Sequence, residues 1–237
     1  MTRTARMEVL STAELVAQRA ADIIAEEARK AVAARGRFVF AVSGGHTPWV
    51  MLRALATKDV PWQGVHVVQV DERVAPAGHA DRNLTHLRES LLDHAPLPAG
   101  QIHNMPVEST DLQAAVEQYA ATLEKIAGAP AVLDLVHLGL GPDGHTASLV
   151  PNDPVLNIND ADVAMTGTTY QGRRRMTLTY PVINRSRRIL WVVTGDGKAP
   201  MLNRLLDGDE SIPAGRVLRE HAIALVDEAA AGQTKGT

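Results

Sequence analysis

A histidine in a tight loop with three glycines, two residues after an aspartate, is suited to taking and returning a proton. The run Gly139-Leu140-Gly141-Pro142-Asp143-Gly144-His145-Thr146-Ala147-Ser148 places Asp143 and His145 in that relation. An imidazole with a near-neutral pKa takes and returns protons. Read alone, the same residues fit a turn histidine beside a capping aspartate equally well.

Three further polar clusters stand out. Ser43-Gly44-Gly45-His46-Thr47-Pro48 joins two glycines to a proline suited to the first turn of a helix. Free amides at that helix start, with the hydroxyls of Ser43 and Thr47, suit a phosphate. A glycine turn with a capping hydroxyl would look the same. The cluster is neither a Walker loop nor a G-x-G-x-x-G fingerprint. Asp71-Glu72-Arg73 offers a candidate base or orienting carboxylate in Asp71 and a phosphate clamp in Arg73. On its own the triplet reads more readily as a solvated ion-pair network. Thr194-Gly195-Asp196-Gly197-Lys198-Ala199 puts Lys198 on the first turn of a helix. It is one of five lysines against nineteen arginines, and either a phosphate contact or a solvated lysine fits.

The elements around these clusters define a fold. Apolar runs at Phe38–Val42, Val65–Val70, Leu133–Leu140, Ile189–Thr194 and Ala222–Val226 read as strands buried on both faces. Helical patterns fill 12–35, 48–56, 83–93, 110–127 and 198–206. Ser11 and Glu14 have capping-box spacing at the first helix, and Gly36 supplies its stop. The alternation predicts an α/β three-layer Rossmann-like fold, a mostly parallel central sheet with helices on both faces. No linker interrupts it, so 1–237 reads as a single domain, with 229–237 as a frayed tail. Residues 156–176 read as an excursion holding a short antiparallel strand. Each polar cluster follows a strand, where ligands of open α/β sheets collect.

Composition narrows the function. The 237 residues carry 24 basic and 27 acidic side chains, a net charge of −3, so no basic footprint for nucleic acid exists. Cysteine is absent, which excludes disulfides, thiolate metal sites and cysteine nucleophiles. Aromatic residues make up 3%, too few for base-stacking platforms. No apolar run spans a bilayer and no signal-peptide core is visible, so a cytoplasmic location is expected. No helix shows a second extended apolar face, so a monomer is expected. Neither a G-x-S-x-G elbow nor an H-E-x-x-H pair occurs.

Together the clusters resemble the 6-phosphogluconolactonase family, within the superfamily of glucosamine-6-phosphate deaminase and ribose-5-phosphate isomerase. The matching segments are SGGHTP (43–48), DERVAP (71–76), GLGPDGHTASLVP (139–151), RMTLTYPVIN (175–184) and GDGKA (195–199). They keep the family's order over nearly the whole chain. The resemblance implies hydrolysis of 6-phospho-D-glucono-1,5-lactone, a sugar-phosphate lactone, to 6-phosphogluconate in the oxidative pentose phosphate pathway. It implies His145 as general base, with Asp143 and Asp71 setting protonation and orientation. Arg73 and Lys198 would neutralise the phosphate, cradled by Ser43, Gly44, Gly45 and Thr47. Arg175 would add a further substrate contact. Neither metal nor cofactor is implied.

The sequence departs from the family pattern at His46, at Arg82 before Asn83, and at Val150. Arg82 is expected to add charge near the site entrance, and Asn83 to cap the following helix. Two alternatives share the scaffold. Deaminase-like isomerase chemistry would want a glutamate soon after the histidine, and none stands before Asp153. A non-catalytic sugar-phosphate-sensing module would want an attached DNA-binding element, and 12–35 reads as one unbroken helix.

Overall fold

The structure, a computed structural model, describes residues 6–232. The chain begins with strand β1 (Arg6–Leu10), helix α1 (Ala13–Arg35), β2 (Phe38–Val42) and α2 (His46–Ala56). Strands β3 (Val65–Gln69) and β4 (Asp71–Arg73), the short helix α3 (Asn83–Leu87), β5 (Ile102–His103) and α4 (Leu112–Ala127) follow. Then come β6 (Leu135–Leu138), β7 (Val163–Met165), β8 (Arg175–Leu178) and α5 (Tyr180–Arg185). The described chain closes with β9 (Ile189–Val193), α6 (Ala199–Asp207), β10 (Ala222–Asp227) and α7 (Glu228–Ala231).

Seven strands form one sheet in the order β1-β10-β9-β6-β2-β3-β5, and each adjacent pair is parallel. Alternate residues of each central strand feed opposite cores. Phe38, Phe40, Val67 and Leu190 pack with α1 and α2. Val39, Ala41, Val136 and Trp191 pack with α4, α5 and α6 on the other face. This is why the strands read as unbroken apolar runs. Among the described residues no helix is long and apolar enough to cross a membrane.

Strand order explains where the polar loops meet. From β2 the chain steps through β3 to β5 on one side, while β6, β9 and β10 build the other. The loops after β2 and β6 therefore diverge and leave a crevice at the carboxyl ends.

Several elements differ from the sequence reading. β1 and β5 were not expected. β1 is an edge strand whose residues are exposed or half-buried, so it lacks an apolar run. The triplet 71–73 is not a loop but a strand of a second, antiparallel sheet, ordered β4-β8-β7. That small sheet is the excursion expected within 156–176. The 83–93 helix is α3 continued by a π-helical turn at Arg88–Leu92. Within the expected tail, Glu228–Ala231 form α7, with the Asp227 carboxylate accepting from the Ala230 amide, and Ala230 is buried. Residues 233–237 lie outside the described residues.

The cap of α1 also moves by one residue. Thr12, not Ser11, is in the N-cap position, and its hydroxyl accepts from Leu15 N at 3.2 Å. β1 carries the chain straight to residue 10, so the first helical carbonyl is that of Thr12, bonded by Val16 N. Glu14 then falls one position short of a capping box.

Glu72 ties β3, β4 and α3 together. It is wholly buried and accepts from Gln69 Nε2, Arg73 N, Asn83 N and Leu84 N, each at 2.8 Å. Arg82 Nε lies 3.1 Å away, an ion pair whose N–H is not aligned on the oxygen. Arg82 is itself buried and donates to Ala75 O and Glu108 Oε1. It thus belongs to the interior, not to a site entrance. Glu72, not the Asn83 side chain, caps α3.

Two stability predictions follow from these contacts. Thr12→Ala should lower unfolding free energy by about 1 kcal/mol, while Ser11→Ala should stay within about 0.5 kcal/mol of the parent. Urea unfolding reads both; equal losses would restore the capping box. Glu72→Leu removes one partner of a buried pair and should cost about 3–5 kcal/mol. A change below about 1 kcal/mol would show that the network adds little.

Candidate active site

The crevice is a cleft of about 180 Å³. Ser43, Gly44 and Gly45 come from the β2–α2 turn, Asp71 and Arg73 from β4, and Arg175 from β8. Six of the ten residues proposed from sequence therefore share one lining. Trp49, Asn83, Gly139 and Ala147 complete it. Thr47, Asp143, His145 and Lys198 stand apart from that lining, the loop of Asp143 and His145 reaching it through Gly139 and Ala147. The Thr47 hydroxyl bonds to that of Thr194 at 2.7 Å, and Lys198 Nζ donates to Leu140 O at 2.8 Å.

The glycine turn is anchored from below. Ser43 N donates to His137 Nδ1 at 3.2 Å, and Ser43 Oγ donates to His137 O at 2.9 Å. His137 sits in β6, the neighbour of β2, and burial pushes its pKa down to about 3. It is a neutral imidazole that holds the turn. The Gly44 and Gly45 amides donate to no protein group among the described residues. Gly45 N-caps α2 with φ 125°, which suits glycine. The paired donors point to an anion at the helix start.

Asp71 closes the opposite wall. Its Oδ2 accepts from Ser148 Oγ at 2.6 Å, its Oδ1 from Asn83 Nδ2 at 3.3 Å, and Arg175 Nη1 lies 3.9 Å off. Burial pushes its carboxyl above the usual range, against the Ser148 bond and the Arg175 charge. A Cβ on Gly44 would collide with the Asn83 side chain, so glycine there lets α3 close over the turn. Arg73 is oriented by donating to Asp81 O at 2.8 Å. Arg175 is 3% exposed, donates to Gln171 Oε1 at 3.0 Å, and leaves its buried Nε without a partner.

Asp143 and His145 meet directly, a contact the sequence leaves open. His145 Nδ1 is 2.5 Å from Asp143 Oδ1, which also accepts from His145 N at 3.1 Å. An ionised carboxylate only accepts, so the imidazole proton sits on Nδ1 and Nε2 is left as the free base. Burial works against the charge of Asp143, yet His145 and the Tyr170 hydroxyl hold it below the usual carboxylate range. Lys198 faces Asp143; burial lowers its pKa and the carboxylate opposes that. The close approach depends on Gly141, where a Cβ would run into both side chains. Ala147 takes φ 51° as the loop turns back to present Ser148 to Asp71.

Sequence reasoning missed five contributors. Tyr170 lay in the segment with no clear periodicity, and Trp49 looked like a helix-face residue. His137 sat inside an apolar strand run. Ser148 was quoted in its motif without a role, and Asn83 was read only as a cap. Their roles arise from long-range contacts that local pattern does not encode.

A family model described as glucosamine-6-phosphate isomerases/6-phosphogluconolactonase matches residues 11–226. A 6-phosphogluconolactonase of Synechocystis is 35% identical over 204 residues, covering 84% of this chain and 84% of the relative. The human 6-phosphogluconolactonase is 36% identical over 231 residues, covering 92% of this chain and 86% of the relative. The crystal structure of a Thermotoga maritima 6-phosphogluconolactonase superposes with a TM-score of 0.83 at 25% identity, covering 94% of this chain and 98% of that one. With a family model matching residues 11–226 and relatives above 30% identity over most of its length, this chain belongs to the glucosamine-6-phosphate isomerase/6-phosphogluconolactonase family.

Proposed function

We infer that this chain hydrolyses 6-phospho-D-glucono-1,5-lactone to 6-phospho-D-gluconate. The observation that carries the reading is the Asp143–His145 pair in the loop whose Gly139 and Ala147 line a cleft shared with Arg73, Arg175 and the Gly44–Gly45 turn. His145 Nε2 removes a proton from water as its oxygen attacks C1. The tetrahedral intermediate collapses, the bond from C1 to the ring oxygen breaks, and the imidazolium returns its proton to that oxygen. One histidine serves as base and then acid. Asp143 fixes the tautomer and stabilises the imidazolium. Arg73, Arg175 and the amides of Gly44 and Gly45 take the phosphate, with Lys198 and Thr47 as further contacts. Ser43 acts by holding the turn, since its amide and hydroxyl both donate to His137.

Deaminase-like chemistry fits less well. Asp153, the first carboxylate after His145, is buried and accepts from the amides of Val155, Gly167 and Thr168 and from the Thr168 hydroxyl. It organises a loop and has no capacity left for ring opening.

The test generates the lactone in place from glucose 6-phosphate and follows product with a 6-phosphogluconate dehydrogenase couple. Parent protein should exceed both the enzyme-free rate and His145→Ala, with kcat falling about 10²–10⁴-fold in the variant. Folded parent protein at the blank rate would sink the reading. Arg73→Ala and Lys198→Ala should each raise KM for the phosphorylated lactone about 10- to 100-fold, the weight of a charge-assisted hydrogen bond. Their effect on unphosphorylated gluconolactone should be small. Equal effects on both substrates would remove these side chains from phosphate binding.

A further inference from the structure

Tyr170 stands between the two halves of the site. It lies at the base of a tight turn, with Tyr170 N donating to Arg173 O at 2.9 Å. The two residues at the tip, Gln171 and Gly172, have φ 51° and 76°. A turn with both central residues left-handed reverses the chain sharply and fixes the direction of its flanking side chains. The Tyr170 hydroxyl donates to Asp143 Oδ2 at 3.1 Å and lies 3.4 Å from His145 Nδ1. Its ring meets the His145 ring edge-on, with centroids 5.2 Å apart. The Arg175 guanidinium sits over the other part of the ring, 5.0 Å from the centroid.

The consequence follows from the valences. Asp143 Oδ1 is engaged by both His145 donors, and among the described residues Tyr170 is the donor on Oδ2. Without that donor the carboxylate could swing about its terminal torsion, which is soft. The imidazole bonded to it would swing as well. A cation over the ring face adds a second restraint, and Arg175 continues from there to Asp71.

We propose that Tyr170 is a positioning residue for the hydrolysis: its hydroxyl fixes Asp143, and through it the direction of His145 Nε2, while its ring seats the Arg175 guanidinium. The inference rests on the lactonase reading of the same site. Burial and the Asp143 charge both raise the Tyr170 pKa, so the phenol keeps its proton and remains a donor. The charged groups facing the trio are Arg175 and Lys198, with Arg73, Asp71 and Glu72 behind Arg175.

Tyr170→Phe keeps the ring and removes the hydroxyl; Tyr170→Leu removes both. Tyr170→Phe should lower kcat about 10-fold, the weight of one hydrogen bond to a charged group, with KM within about twofold of the parent. The acid limb of its kcat/KM profile should move to higher pH. A carboxylate that has lost a donor binds the imidazolium more firmly, so the base is available only at higher pH. Tyr170→Leu should add a rise in KM, because Arg175 loses its seat. Parent-like kcat and an unmoved acid limb in Tyr170→Phe would overturn the proposal, as would a change confined to KM. A readout that needs no activity is the NMR titration of the His145 ring, assigned with His145→Ala. Its midpoint should move upward in Tyr170→Phe, and coincident titrations would overturn the proposal. Parent protein without lactonase activity would sink the functional reading alone, and the titration would still decide the role of Tyr170.

Discussion

A carboxylate taken out of water has to be met by donors from the protein, and Glu72 draws them from three directions. The Gln69 side chain reaches it from the end of β3, the Arg73 amide from β4, and the Asn83 and Leu84 amides from the start of α3. Losing any one of these leaves a buried charge under-solvated, so the elements are locked together. The neighbours of Glu72 in sequence are the residues that line the cleft. Asp71 and Arg73 point the other way along β4 because a strand alternates its side chains. A buried residue between two functional ones converts the rigidity of the junction into the placement of the site.

The second constraint is topological. β2 and β6 are adjacent, yet their following loops belong to chain halves that travel apart. One loop brings free amides at a helix start, the other a glycine-rich turn carrying Asp143 and His145. His137 bridges the two strands beneath them: it is part of β6 and accepts from the first residue after β2. A neutral imidazole does this without the cost of burying a charge. The small antiparallel sheet then contributes the third side, with Arg73 on β4 and Arg175 on β8 as direct cross-strand neighbours. Two like charges side by side are unfavourable unless an anion joins them. Asp71, on the same strand as Arg73 and 3.9 Å from Arg175, is the protein's own anion between them.

The central sheet was legible because each strand is buried on both faces and so has no polar alternation to confuse with a helix. The polar clusters were legible because charge and glycine at the end of such a strand have few structural uses. What escaped was whatever depends on non-local pairing. β1 is an edge strand with exposed residues, stabilised by its register with β10. β4 looked like a charged loop, since three residues are too short for a period. Arg82 read as a surface charge and is a buried clasp on Glu72, a role fixed by a partner ten residues away. Ser11 and Thr12 are equivalent as caps, and only the exit of β1 decides between them. Tyr170 carries no local signal; its place beside Asp143 is set by a turn that closes on Arg173.

The cleft holds two aspartates whose environments push them apart. Asp71 lies deeper; burial drives its carboxyl upward, and its partners are a hydroxyl, an amide side chain and a guanidinium at 3.9 Å. Asp143 is closer to solvent and is held down by an imidazole at 2.5 Å and a phenol. When like residues are separated in this way, their tasks separate too. Asp143 is held toward its ionised form beside His145. Asp71, with its oxygens accepting from Ser148 and Asn83, has its negative charge opposed by burial and supported by those bonds and by Arg175. Environment thus separates two residues of one type, with no change of side chain.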